Sequence, residues 1–312
     1  MNVLVVGGTG FVGTHLARRL LQQGHRVQVL SRRATGSVGG ARYIRGNAAT
    51  GEGLAPAMKD AEAVIYLVAI IRERGDQTFR QAIVEGTRNT LEAARAAGIR
   101  RYLHMSALGT ARGTGSRYFE AKAEAEELVR ASGLDWTIFR PSLIFGEGDD
   151  FFGGVLRGLV RGGTQNGLWY PPAPVIPQIG DGRFPFRPVW VGDVAEAFAQ
   201  ALEKPQTIGQ TYPLVGPQEY TFRELILRVR DRLGSRKPLL PIPIFLMDLA
   251  VPWLSRIPGF PLTMDQYRML KVGNTADPQA MRQDFDLEWR SLETELPIIL
   301  GNPGKSSSFE IE

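Results

Sequence analysis

Three side chains in the first half of the sequence have the chemistry to move a proton at a reacting oxygen: Ser106, Tyr118 and Lys122. Tyr118 and Lys122 stand four apart in SRYFEAKAEAEELVRASG, which reads as a helix opened by Ser116 and closed by Gly133, so the two side chains share a face. A phenol ordinarily ionises near pH ~10, too high for base work at neutral pH. A cation one turn along would stabilise the phenolate and lower that value. Ser106 ends the apolar strand Arg101–Met105, where a hydroxyl would orient or polarise a carbonyl oxygen. Hydroxyl, phenol and ammonium form the set required beside hydride transfer to or from a carbonyl or alcohol carbon. A lone Tyr-x-x-x-Lys is common by chance, so its weight comes from what precedes it.

What precedes it is VLVVGGTGFVGTHL, starting at Val3. Residues 3–6 form a β-branched, apolar run suited to a strand buried on both faces. Gly7, Gly10 and Gly13 follow at three-residue spacing around Thr9, and Gly8, Gly10 and Gly13 meet the looser dinucleotide spacing. Phe11, Val12, His15, Leu16 and Leu20 then recur at helical spacing up to Gln23, with Gly24 placed as C-cap. Strand, glycine turn and helix in this order make a phosphate cradle: the turn lets backbone approach a pyrophosphate, and the helix N-terminus offers unpaired N–H groups. Residues 26–30 read as a second strand ending in Ser31, Arg32 and Arg33. A site for NAD places a carboxylate about here to hold ribose hydroxyls. Two arginines instead suit a 2′-phosphate, so NADP(H) is expected over NAD(H).

The remaining elements must hold these groups. A third strand is expected over 42–44, followed by Gly46 and Asn47, a fourth over 63–68, a long helix over 77–97 and a sixth strand over 135–139. The alternation of strand and helix predicts an α/β fold with a parallel, doubly wound sheet. Residues 150–161 read as helix. Residues 162–182, rich in glycine and proline, read as an irregular excursion of the kind that forms a substrate pocket or lid. Thr221 and Glu224 form a capping box before a helix ending at 233. The expected division is a nucleotide-binding domain over 1–147 to which the chain returns at 184–208, a smaller substrate-binding region over 148–183 and 209–300, and a flexible tail over 301–312. His104 is expected to be a satisfied core histidine and Asp193 a helix cap. Glu147, Asp149 and Asp150 are expected on a solvated loop and helix start.

Composition narrows the classes further. The 312 residues, 43% hydrophobic and 22% charged, suit one large or two joined globular domains. The absence of cysteine excludes disulfides, thiolate nucleophiles and iron–sulfur or zinc–thiolate sites, and His15, His25 and His104 are not spaced for a metal, so none is expected. The net charge of +5 comes from scattered arginines without a basic block, which argues against a nucleic-acid partner. No leader or membrane-spanning run is apparent, so the expected compartment is the cytoplasm. The proline-rich apolar stretch 239–262 reads first as core of the substrate region and second as a membrane-surface or protein contact.

VLVVGGTGFVG, YLHMSALG, Tyr118-x-x-x-Lys122 and DWTIFRPSLIFGEGD together resemble the short-chain dehydrogenase/reductase superfamily, in its atypical, extended branch related to the NAD-dependent epimerase/dehydratases. With VWVGDVAEAF and PLTMDQYRML they are similar to the group around the nucleotide-binding accessory subunit of respiratory complex I, over residues 1 to about 300. The resemblance implies a Rossmann fold holding NADP(H) at Gly7, Thr9, Gly10, Phe11, Val12 and Gly13, with Arg32, Arg33 and Asn47 on the adenine side. It implies Val68 and Ala69 beside the cofactor, Pro141 and Ile144 flanking the nicotinamide, and Ser106, Tyr118 and Lys122 as the catalytic set, the latter two also touching the cofactor. Many relatives carry aspartate where Asn47 stands. Two activities are compatible with the group: an NADP(H)-dependent oxidoreductase or epimerase acting on a small or lipid-like carbonyl or alcohol, and a non-catalytic NADPH-binding accessory or assembly protein of a respiratory-type complex.

Overall fold

The computed structural model describes residues 1–301 except Ala34, Arg74, Asp76, Asn166 and Pro258. Strand β1 (Asn2–Val6) is buried from Val3 onward. It lies between β2 (Arg26–Ser31) and β4 (Ala63–Tyr66), parallel to both. Strand β3 (Arg42–Arg45) extends one side, while β5 (Arg101–Met105), β6 (Asp135–Pro141) and the strand Gln210–Leu214 extend the other, all in parallel. The order from edge to edge is Gln210–Leu214, β6, β5, β4, β1, β2, β3. This is the doubly wound Rossmann arrangement, with its topological switch between β1 and β4.

The central strands β1, from Val3, and β4 are continuously apolar and buried because both of their faces are covered. Helices α1 (Phe11–Gln22), α2 (Leu54–Met58), α3 (Gly86–Ala96), α4 (Arg117–Arg130) and Val191–Glu203 supply the cover. Leu4, Val6, Val64, Tyr66, Leu91 and Ile138 meet in one core cluster on the sheet. Arg101 runs through the edge of that layer, buried, with Nη1 donating to Asp135 O at 2.7 Å and Nη2 to Thr137 Oγ1, Ala201 O and Thr207 Oγ1.

The helix expected from residue 77 starts at Arg80 with a π-helical turn, Arg80–Glu85, before α3. Tyr66 occupies this turn: its hydroxyl donates to Ala82 O at 2.8 Å, and a Cβ on Gly86 would lie 2.2 Å from the Tyr66 hydroxyl oxygen. The wider turn makes room for the phenol.

The chain forms two compact units. The first comprises residues 1–142, 191–215 and 276–288; the second comprises 143–190, 216–275 and, of the described residues that follow, 289–301. In the second, Phe145, Phe152, Leu156, Phe222, Leu225 and Leu296 share a core. Its helix Phe222–Arg232 carries the capping box of Thr221 and Glu224. The irregular excursion holds the hairpin Gly163–Gln165/Leu168–Tyr170 and the strand Ile176–Ile179, which pairs in parallel with Leu239–Ile242. The tail expected from 301 lies, from 302 onward, outside the described residues. Among the described residues no helix is long and apolar enough to cross a membrane.

Candidate functional site

A cavity of about 480 Å³ opens at the carboxyl ends of β1, β2 and β4. Gly7, Thr9 and Gly10 form one wall, Leu30 to Arg32 another, and Gly46 to Thr50 and Leu67 to Ile70 the rest, with Gln77, Gln81 and Ala82 closing it. Gly7 has φ +91°, where a side chain is strained, and its Cβ would lie 3.2 Å from Val68 N. Gly10 is the N-cap of α1, and a Cβ there would meet only Gly7 O, at 3.4 Å. The glycine therefore leaves the approach to the helix N-terminus open, where the first N–H groups have no intrahelical partner. No acidic residue stands in the first turn of α1, and Arg32 is the one charged residue among the described residues of the wall. Such a wall favours an anion.

Asn47 uses its side chain within its own loop. Its Oδ1 accepts from Ala49 N at 3.1 Å, while Asn89 donates to the Ala48 and Ala49 carbonyls. Arg33 follows Arg32 outside the wall residues, and its carbonyl accepts from the Ser31 hydroxyl.

The proton-moving set is built on β5 and α4. Ser106 follows β5, its N donating to Phe139 O at 2.7 Å and its buried hydroxyl pairing with Thr110 Oγ1 at 3.3 Å. Ser116 caps α4 by accepting from Phe119 N. Lys122 is fully buried, and its Nζ donates to Met105 O at 2.7 Å. Burial drives its ammonium down to about 7, against the pull of Glu126. Tyr118 is also buried, with the Phe79 ring edge-on at 5.7 Å, and burial pushes its phenol above the ordinary value. That direction is opposite to the one expected from a neighbouring cation. The reason is the desolvation of the phenol itself, while Lys122 points its donor at the end of β5.

One turn beyond Lys122 lies Glu126, which the sequence reading passed over. It is fully buried, takes two bonds from Arg140, at 2.8 and 2.6 Å, and one from Arg130 at 2.7 Å. Burial alone would push this carboxyl up; the bonds from Arg140, Ser106 and Arg130 outweigh it and hold it below the usual range. Tyr118, Lys122 and Glu126 thus occupy i, i+4 and i+8 of one helix face.

Of the residues named from sequence, the cavity gathers Gly7, Thr9, Gly10, Arg32, Asn47, Val68 and Ala69. Phe11, Val12 and Gly13 form the first turn of α1, where a Cβ on Gly13 would lie 2.4 Å from Gly7 O. Pro141 ends β6 and its carbonyl accepts from Leu108 N. Ile144 belongs to the second unit, paired with Val189. Ser106, Tyr118 and Lys122 are not wall residues of this cavity, but the segment from Gln77 to Ala82 touches both places: Gln77, Gln81 and Ala82 face the cavity and Phe79 packs on Tyr118.

Two of the structural expectations change. His104 is a core residue stacked on Tyr66 at 5.6 Å, yet neither ring nitrogen has a hydrogen-bond partner. Asp149 is buried, not solvated, and caps the turn at Phe151–Leu156 by accepting from Phe152 N at 2.6 Å. Desolvation raises it to about 6 despite that bond. Asp193 lies in the first turn of Val191–Glu203 and accepts from Glu288 N at 2.9 Å.

Residues 7–151 match a family described as NAD(P)H-binding. The chain is similar to the mitochondrial NADH dehydrogenase (ubiquinone) 1 alpha subcomplex subunit 9 of Arabidopsis thaliana, with 30% identity over 308 residues, covering 91% of this chain and 73% of that one. The subunit of the same name from Mus musculus is 25% identical over 264 residues, covering 82% of this chain and 66% of the mouse protein, so the chain spans just under two thirds of it. Among solved structures, the UDP-glucose 4-epimerase of Thermus thermophilus, in complex with NAD, shares the fold at a TM-score of 0.68 and 22% identity, over 95% of this chain and 96% of the other.

Proposed function

Because the chain belongs to the NAD(P)-binding short-chain dehydrogenase/reductase family that includes the complex I subunit 9 proteins, we propose that it is an NADP(H)-dependent oxidoreductase or epimerase acting on a carbonyl or alcohol. The observation that carries the cofactor assignment is the cavity, whose glycine turn leaves the N-terminus of α1 open beside Arg32. Gly10 is the cradle a Cβ would fill, and Arg32 would meet a 2′-phosphate. Bound there, a nicotinamide dinucleotide supplies hydride to a carbonyl carbon or takes it from an alcohol. Tyr118 gives the matching proton to the carbonyl oxygen, or removes it from the alcohol. Ser106 donates to the same oxygen. Lys122, whose Nζ donates to Met105 O and whose charge Glu126 supports against burial, stands one helical turn from Tyr118 and would hold the nicotinamide ribose. The second compact unit supplies the substrate-binding region, without the stretches 209–215 and 276–288, which belong to the first unit.

The second reading is an NADPH-binding accessory or assembly protein without turnover. It is favoured by the burial of Tyr118 under Phe79, away from the cavity wall. One experiment separates the two. Carbonyl and alcohol substrates are screened with NADPH, and Tyr118→Phe is compared with the parent. The enzyme reading expects an unchanged NADPH dissociation constant and a rate lowered by about 10²–10⁴-fold. Unchanged rates in Tyr118→Phe remove the proton-transfer mechanism, and a chain that binds NADPH without turning over any substrate supports the accessory role.

A further inference from the structure

Of the fourteen exposed large apolar side chains among the described residues, eight fall between Leu240 and Ile257. They centre on the helix Ile244–Leu254, IFLMDLAVPWL, in which only Val251 is buried. Phe245, Leu249 and Trp253 are 70%, 69% and 67% exposed. Spaced four apart, they make one continuous ridge, which Leu246 and Ile257 widen. A second tryptophan adjoins it: Trp169, 57% exposed on the hairpin of the same unit, donates its backbone N–H to Gly259 O in the turn that follows the helix.

The charges around the ridge point to its occupant. The helix has one acid, Asp248, and it is neutralised: Lys271 Nζ and the Tyr267 hydroxyl each reach its Oδ1 at 2.8 Å. The Arg256 guanidinium lies 5.2 Å over the Trp253 ring, which fixes a cation at the end of the ridge. From 236 to 272 the chain carries five basic residues and two acidic ones. A ridge of Phe, Leu and Trp with arginine at its margin is the composition that seats at a bilayer interface, side chains among the acyl chains and indole and guanidinium among the headgroups. Acyl chains require no hydrogen-bonding partner, and the ridge offers none beyond an indole N–H.

We propose that the helix Ile244–Leu254, with Ile257 and Trp169, docks this protein on the surface of a lipid bilayer containing anionic headgroups. The assignment stands independently of whether the nucleotide site turns over a substrate. The purified full-length chain should float with phosphatidylcholine vesicles containing phosphatidylglycerol and bind less as salt rises. The triple variant Phe245→Ser, Leu249→Ser, Trp253→Ser should weaken binding on the order of 100-fold, since each residue places its apolar surface in the membrane. Its melting temperature and NADPH affinity should match those of the parent, because the ridge is exposed. Failure of the parent to float, or equal flotation on vesicles of phosphatidylcholine alone, overturns the proposal. So does a parent dimer in light scattering that the triple variant dissociates while vesicle binding is absent, since the ridge then covers a second copy.

Discussion

Alanine at position 13 and alanine or valine at position 10 should separate folding from ligand binding within one turn of α1. A Cβ on Gly13 would sit 2.4 Å from Gly7 O and 2.5 Å from Gly8 Cα, about 1 Å inside comfortable contact. Both obstacles are backbone atoms of the glycine turn, so neither can rotate away. Against backbone that cannot move aside, the cost lies in the upper part of the usual range for overpacking, about 2–3 kcal/mol, and the gain of about 1 kcal/mol from replacing a helical glycine with alanine offsets only part of it. The net loss, on the order of 1–2 kcal/mol, should lower the melting temperature by a few degrees at about 2–4 °C per kcal/mol. Gly10 has an ordinary φ of −80°, and its Cβ would meet one atom at 3.4 Å. Gly10→Ala and Gly10→Val should therefore melt close to the parent. Valine, however, projects into the pyrophosphate's approach, and NADPH affinity should disappear. The assays are thermal unfolding by circular dichroism and NADPH titration by fluorescence on each variant. A Gly13→Ala protein as stable as the parent would refute the close-packing reasoning, and a folded Gly10→Val that binds NADPH normally would refute the placement of the site.

Arg32→Asp should weaken NADPH by about 1.5–3 kcal/mol, the loss of a charge-assisted bond, while leaving NADH no weaker; parallel titration of both nucleotides checks this, and an equal loss on both would remove the 2′-phosphate contact. His104 is held well below its ordinary value by burial, then by the charge of Lys122. The unfolded chain therefore takes up a proton as pH falls below about 6.5 while the folded chain does not, and stability present above that pH is lost below it, by at most about 1.4 kcal/mol per pH unit. His104→Phe keeps a ring stacked on Tyr66 and should flatten that part of a urea-denaturation series between pH 7 and 5; an unchanged slope would assign the acid sensitivity to another group.

The glycine turn was legible because its signal is local: strand, spacing and helix lie within twenty residues, and Gly7, Thr9 and Gly10 stand on the cavity wall. The same holds for Arg32, whose position follows from counting strands. Gln77 and Gln81 were not legible, since a loop after β4 brings them to the cavity and no periodicity marks them. Glu126 was within reach, because the spacing of Tyr118 and Lys122 extends one more turn to it. Its significance depends on Arg140, which only the pairing of β5 with β6 delivers. The π-helical turn is occupied by Tyr66, sixteen residues before the carbonyl it bonds, so local helix propensity predicts an earlier and regular start.

Arg101 sets a condition on how the chain can be made. Its guanidinium is buried, and desolvation lowers it to about 10. Two of its acceptors, Ala201 O and Thr207 Oγ1, are a hundred and more residues downstream. At about 5–20 residues per second a ribosome needs several seconds to supply them. Until then β5 carries a guanidinium for which only the Asp135 and Thr137 acceptors of the folded chain are in reach. A fragment ending at 142 would hold the whole glycine turn and the Ser106, Tyr118 and Lys122 set and still lack those acceptors and the edge strand. The nucleotide-binding half is therefore not excisable as a contiguous piece, and the last stretch of it to be synthesised, 276–288, arrives after most of the other unit.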